Sequence, residues 1–214
     1  MMRRLAIALF LTLLATNAHA QSAKGFDIGG YASFGQIHFT ATESFTAIIG
    51  DTAGPFFGGG GRVGLPWLNL FVDVGAWKFK DDGQRVIRLD GQTYPLGIPV
   101  NIVMTPIELT VGYRFNQMHR FVPRLTPYIG AGYTSLKYEE SSSFAAAGED
   151  VDERFDGHHF MGGAELKVFK WLGIAGEYSW STVPDAIGTG GVSKDFGETD
   201  LGGHTIRGKI TIGR

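Results

Sequence analysis

The sequence predicts an all-β chain, an eight-stranded antiparallel up-and-down β-barrel, and three observations carry that reading. Glycine contributes 32 of 214 residues and aromatics 13%, a composition that suits closely packed strands rather than helical bundles. Apolar and polar residues alternate with period two in eight separate stretches. Short and long connections between those stretches take turns along the chain. The formal net charge of -2 excludes a strong electrostatic pull toward nucleic acid. With no cysteine, disulfide scaffolds, Cys-type zinc and a lipid anchor on cysteine are also excluded.

The first twenty residues read as a Sec signal peptide. Arg3 and Arg4 precede an apolar run from Leu5 to Ala15, and Ala18-His19-Ala20 fits the small-residue cleavage pattern before Gln21. That run falls well short of the ~20 residues a spanning helix needs. Residues 21–214 form the expected barrel domain. Removing Arg3 and Arg4 leaves 17 of 19 basic residues against 21 acids, a charge of -4. Every later apolar run is soon broken by glycine or a charge, so no transmembrane helix is expected.

The expected strands are Phe26 to Phe34, Phe57 to Leu65, Leu68 to Phe79, Val100 to Phe115, Pro127 to Tyr138, His158 to Phe169, Leu172 to Trp180 and His204 to Ile212. Most have the ~9–11 residues that cross a bilayer at a tilt. Short links lie at Pro66-Trp67, around Asn116 to Thr126, and at Lys170-Trp171. Long ones run from Gly35 to Phe56, Lys80 to Pro99, Glu139 to Gly157 and Ser181 to Gly203. An even strand number then gathers the termini and short turns at one end and all long loops at the other, as in outer-membrane barrels with short periplasmic turns and long extracellular loops. Asp81-Asp82-Gly83 and Asp90-Gly91 are expected turns of a hairpin within the second long loop.

Alternation alone does not say which face is inside, but the polar face is informative. It collects Asp27, Asp73, Glu108, Glu165 and Glu177 against Arg62, Arg114, Lys167, Arg207 and Lys209. Five acids against five bases is what a narrow, poorly solvated lumen requires, since unpaired ions there are costly. Glycines on that face, such as Gly29, Gly58, Gly60, Gly64, Gly75, Gly112, Gly130 and Gly132, are expected to make room for long charged side chains. In the fourth strand the parity slips near Pro106, where a bulge would reconcile the halves. Aromatics gather at both strand ends as two interface belts. One holds Phe26, Trp67, Tyr113, Phe115, Phe121, Phe169 and Trp171, the other Phe34, Phe57, Trp77, Phe79, Tyr138, Phe160, Tyr178 and Trp180.

Through this loop alternation, the strand PYIGAGYTSLKY from Pro127 and the terminal HTIRGKITIGR, the chain resembles the small eight-stranded outer-membrane β-barrel family of the OmpA transmembrane domain, OmpX and OmpW. The resemblance implies an integral barrel of the Gram-negative cell envelope, exported to the outer membrane. It also implies partners in outer-membrane lipid, lipopolysaccharide and the assembly machinery. The family usually ends in an aromatic residue that this machinery reads, whereas here the end is Ile212-Gly213-Arg214. A peptidoglycan-binding periplasmic domain is not expected.

Motifs for other chemistry are weak. Gly188 to Lys194 departs from a phosphate loop at Ser193 and Asp195. Glu139, Glu140, Glu149, Asp150, Asp152, Glu153 and Asp156, beside Lys137 and Arg154, offer a divalent-cation site without EF-hand spacing. Of the histidines His38, His119, His158, His159 and His204, only His159 can be drawn together with Glu177 and Ser179 as a hydrolase triad, and that set points into the barrel. The expectation is therefore a monomeric barrel with a charge-filled lumen, a structural or surface-interaction role, and no catalytic site, cofactor or metal. The alternatives are a narrow channel or lateral passage for small or apolar solutes, a soluble periplasmic ligand-binding barrel, and a lipid-modifying hydrolase.

Overall fold

The computed structural model describes residues 25–116, 124–144, 150–184, 186 and 196–213. The expected signal peptide, Phe121, His119, Glu149, the Gly188 to Lys194 segment and Arg214 lie outside them. Eight antiparallel strands close into one barrel in chain order: β1 (Asp27–Phe39), β2 (Ala53–Leu65), β3 (Leu70–Leu89), β4 (Gln92–Arg114), β5 (Leu125–Ser141), β6 (Val151–Lys167), β7 (Leu172–Thr182) and β8 (Gly203–Gly213). Following paired residues once around the wall leads from Ile28 through Val63, Val72, Val111, Ala131, Phe160, Trp180 and His204 back to His38, a stagger of 38 − 28 = 10 residues. That shear tilts the strands by about 40° and leaves an interior that side chains fill.

Several strands run further than the alternation indicated. β3 and β4 continue to a two-residue turn at Asp90 and Gly91, whose φ values of 52° and 76° fit a type I′ hairpin. Asp81-Asp82-Gly83 is no turn: these residues stay in β3, paired with Ile102, Asn101 and Val100. Much of the third expected loop is likewise the β5–β6 hairpin. The first long loop holds a helix, α1 (Thr42–Ile49), which ends on Gly50 at a φ of 79°. Its first turn has no side-chain cap of its own; the Glu198 carboxylate accepts from the Glu43 and Ser44 N–H groups and from the Ser44 hydroxyl.

The bulge expected at Pro106 is absent. β4 pairs with β5 in unbroken register from Asn101 to Arg114, with Pro106 opposite Leu136. Instead, the inward face changes chemistry without changing parity: Glu108 and Thr110 point inward below Pro106, and Met104, Ile102 and Val100 point inward above it. The outward face changes the other way, from the wholly apolar Val111, Leu109 and Ile107 to Thr105, Val103 and Asn101, of which only Val103 is apolar. β3 repeats this, with Val72, Val74 and Ala76 outward in the lower half and Lys78 and Lys80 outward above them.

A barrel with two interiors results. Its lower half has an outward apolar band and a polar inside. The upper half, toward the long loops, has an apolar core of Ile37, Phe39, Phe56, Trp77, Phe79, Ile102, Met104, Leu136 and Tyr138. Phe45 and Ile48 of α1 close this core from above, with the Phe39 and Phe45 rings stacked at 3.7 Å. Val183 and Leu201 of the fourth loop complete it. The Ile48 carbonyl lies where any Cβ at Gly83 would sit, which explains the glycine in mid-strand.

Candidate functional site

The lower interior is a continuous array of charge-assisted hydrogen bonds. Next to the short turns, Arg114 bridges Asp27 at 3.2 Å and Glu165 at 2.6 Å. Arg62 bridges Asp73 at 3.1 Å and Glu165 at 3.5 Å, with its guanidinium 4.5 Å from the centre of the Phe71 ring. Higher up, Glu177 accepts from Lys209 at 2.7 Å and from the Tyr128 hydroxyl at 3.0 Å, and faces Arg207 at 3.2 Å. Arg207 reaches on to Glu108 at 2.9 Å, and the Trp77 indole donates to the same carboxylate at 3.0 Å. Each ion taken from water meets an opposite charge and further donors, the condition under which buried pairs are tolerated.

Of the ten charged residues expected in the lumen, Asp27, Arg62, Asp73, Glu108, Arg114, Glu165, Glu177, Arg207 and Lys209 are drawn into these pairs. Lys167 shares their inward parity but stands at the mouth, exposed, with no ion pair among the described residues. Three of the expected lumen glycines, Gly60, Gly75 and Gly112, make room for aromatic side chains rather than for long charged ones, while Gly29 and Gly58 lie against the backbone of the neighbouring strand. A Cβ at Gly60 or Gly75 would lie 2.5 Å from the Tyr31 hydroxyl, and one at Gly112 would overlap Phe71. Tyr31, whose hydroxyl donates to Asp73 at 2.7 Å, is a partner that charge counting missed. Tyr128 and Trp77 are others, and their inward parity was the signal that could have found them.

The upper aromatic belt needs correction. Phe34, Phe57, Phe160, Tyr178 and Trp180 are exposed outward, but Trp77, Phe79 and Tyr138 are buried in the core. They occupy inward positions above the point where the faces exchange chemistry. Tyr138 donates to Glu140, and burial pushes its phenol well above the usual range, with the Glu140 charge adding to the shift. At the other end Phe26, Trp67, Phe115, Phe169 and Trp171 are exposed, as a belt requires.

The remaining candidates do not assemble into sites. His159 is held by Thr110 and Thr134, each at 2.8 Å, while Ser179 bonds Thr205 and Arg207. Glu177 is taken up by Lys209, Arg207 and Tyr128, so the hydrogen bonds of the three supposed triad members go to other residues rather than to one another. The acidic residues disperse: Glu139 and Asp152 sit beside Lys137, Asp150 accepts from the Ser142 N–H, and Glu140 turns inward. No group of three potential metal ligands occurs among the described residues.

Solved structures with a similar course of the chain include neisserial surface protein A, at 12% identity over 90% of this chain and 97% of that one, with a TM-score of 0.47. The N-terminal barrel domain of Pseudomonas aeruginosa OprF follows at 10% identity, over 89% and 100%, with a TM-score of 0.49. A major outer membrane protein of Thermus thermophilus has 12% identity, over 88% and 99%, with a TM-score of 0.49. No curated protein sequence matches the chain. The model of the outer membrane protein beta-barrel domain matches residues 6–207, nearly the whole length, and the chain belongs to that family.

Proposed function

We propose that this chain is a sealed barrel of the outer membrane with a structural or surface-interaction role, carrying neither a conducting pore nor an active site. The observation that carries this reading is the upper core: Phe79 and Ile102, both 0% exposed, pack with Met104, Leu136 and the α1 residues Phe45 and Ile48 between the charged lumen and the long-loop end. A solute would have to displace close-packed apolar side chains there and then break paired charges below. A soluble ligand carrier is disfavoured by the charged lower interior, because such a barrel puts its apolar residues inside. A hydrolase is disfavoured by the dispersal of Ser179, His159 and Glu177.

Family membership and the outward apolar band support residence in the outer membrane. The same reading takes the barrel as a monomer, inserted by the assembly machinery, with lipid and lipopolysaccharide around the band. The long-loop end, which carries α1 and the β3–β4 and β5–β6 hairpins, then faces the outside. Recordings in planar bilayers test the reading. The purified barrel is expected to show no discrete conductance steps; reproducible steps would establish the narrow-channel alternative instead.

A further inference from the structure

On β3 the outward face passes from Val72, Val74 and Ala76 straight to Lys78 and Lys80. Lys78 lies opposite Phe57, and Phe57 opposite Phe34, so the first lysine leaves the wall at the level of the exposed upper aromatics. Such belts sit in the headgroup layer of a membrane. Both lysines are exposed, and neither has an ion pair among the described residues. Lys137, outward at the upper level of β5, is by contrast spent on Glu139 and Asp152. The neighbours of the β3 pair carry no charge of their own: Phe57 stands opposite Lys78, and Val103 opposite Lys80. The next carboxylate on that face, Asp82, stands further from the band and accepts from the Asn101 amide. Two unspent ammonium groups on flexible apolar stems, at the border between an apolar wall and water, complement the phosphates of a membrane surface.

The wall directly beneath these lysines is recessed. Ala76, Gly59 and Ala32 form one outward row across β3, β2 and β1, and Val74, Gly61 and Gly30 form the next row down. At Gly30 and Gly61 the interior does not demand glycine, because a Cβ there would meet only a carbonyl oxygen at 3.5 or 3.7 Å, an ordinary contact. The missing side chains therefore leave a shallow trough on the lipid side, headed by Lys78. We propose that Lys78 and Lys80 hold a phosphate of one lipopolysaccharide molecule, with an acyl chain of that molecule lying in the trough below. The long-loop end sets the choice of lipid: the lysines stand on that side of the band, which faces the outer leaflet, where lipopolysaccharide carries the phosphates. The inference deepens the proposed role by naming the face and the partner, and it rests on the outer-membrane reading.

The probe is lipopolysaccharide without O-antigen, titrated into the full barrel in an uncharged detergent, with the bound lipid counted by native mass spectrometry. One molecule is expected to be retained, with its affinity weakened about tenfold when Lys78→Gln and Lys80→Gln are combined. No change is expected in Lys170→Gln, an exposed lysine at the short-turn end. Gly61→Leu fills the trough without touching the lysines and is expected to weaken retention severalfold. Each variant is expected to keep the fast-migrating unboiled band of a folded barrel, so that lost binding reports on the site. No retained lipid, equal retention in the double lysine variant, or equal retention of dephosphorylated lipid or of phosphatidylglycerol overturns the proposal. Unchanged retention in Gly61→Leu overturns the placement of the acyl chain. A dimer that Gly61→Leu abolishes would assign the trough to a second copy of the chain and likewise overturn it. An unaltered chain lacking the fast-migrating band would instead refute the barrel reading.

Discussion

At the level of Val72 and Val111 the barrel is apolar outside and charged inside; a few residues higher on β3 and β4, Lys80 and Thr105 are outside while Phe79 and Met104 are inside. The strands do not change register between the two levels. What changes is the expected surroundings, from hydrocarbon to water, and each face of the strand changes with them. The lower half is built as a membrane protein and the upper half as a soluble one, on the same parity. The two halves should therefore respond to opposite perturbations.

The largest effect is expected where the charge array has fewest substitutes. Glu177→Leu leaves Arg207 and Lys209 without their shared carboxylate, at a cost of about 3–5 kcal/mol. Urea unfolding in lipid vesicles, read by the heat-modifiable band, measures it. Phe79→Ala attacks the upper half at about 3–5 kcal/mol in that core. There the lower strands are expected to stay folded while protease cuts near α1, an asymmetry that Glu177→Leu should not show. Cooperative loss of both halves in Phe79→Ala would show that the levels are not separate units.

The outward face offers a graded comparison. Val111→Arg places a charge in the apolar band and is expected to cost about 2–4 kcal/mol, whereas Val103→Arg, outward on the same strand above the exchange point, should cost little. Equal costs in vesicle unfolding would mean that the band extends higher than the lysines of β3. The smallest effect is at the lid. Glu198→Ala removes the cap on α1 and should cost about 1 kcal/mol, seen as faster amide exchange confined to α1.

Alternation was sufficient for the eight strands and for the inward charges from Asp27 to Lys209, because one lipid-facing set per strand makes the other set stand out. It failed at Pro106 for a physical reason. Treating each strand face as one chemistry turned the exchange between Glu108 and Met104 into an apparent slip of register. The same assumption put Trp77, Phe79 and Tyr138 in an interface belt. The helix α1 was legible locally, with Glu43 in its first turn and Gly50 just past its end. It was hidden by reading the whole segment as loop. The Glu198 cap was not legible, since its partners at Glu43 and Ser44 lie about 155 residues away in the chain and meet it only through barrel closure.

A barrel whose upper core seals the charged interior from the cell surface must keep small reagents outside the cell away from its lumen side chains. The chain has no cysteine, so single thiols can be placed cleanly. Ser33 points into the lower interior and is 5% exposed, while His38 on the same strand points outward above the band. Intact cells carrying Ser33→Cys or His38→Cys would be treated with a membrane-impermeant maleimide. Labelling is expected at His38→Cys, and none at Ser33→Cys until the barrel is unfolded. Labelling of Ser33→Cys in the folded barrel at a rate close to that of His38→Cys would show that the interior is open to the surface and that the upper core is no seal.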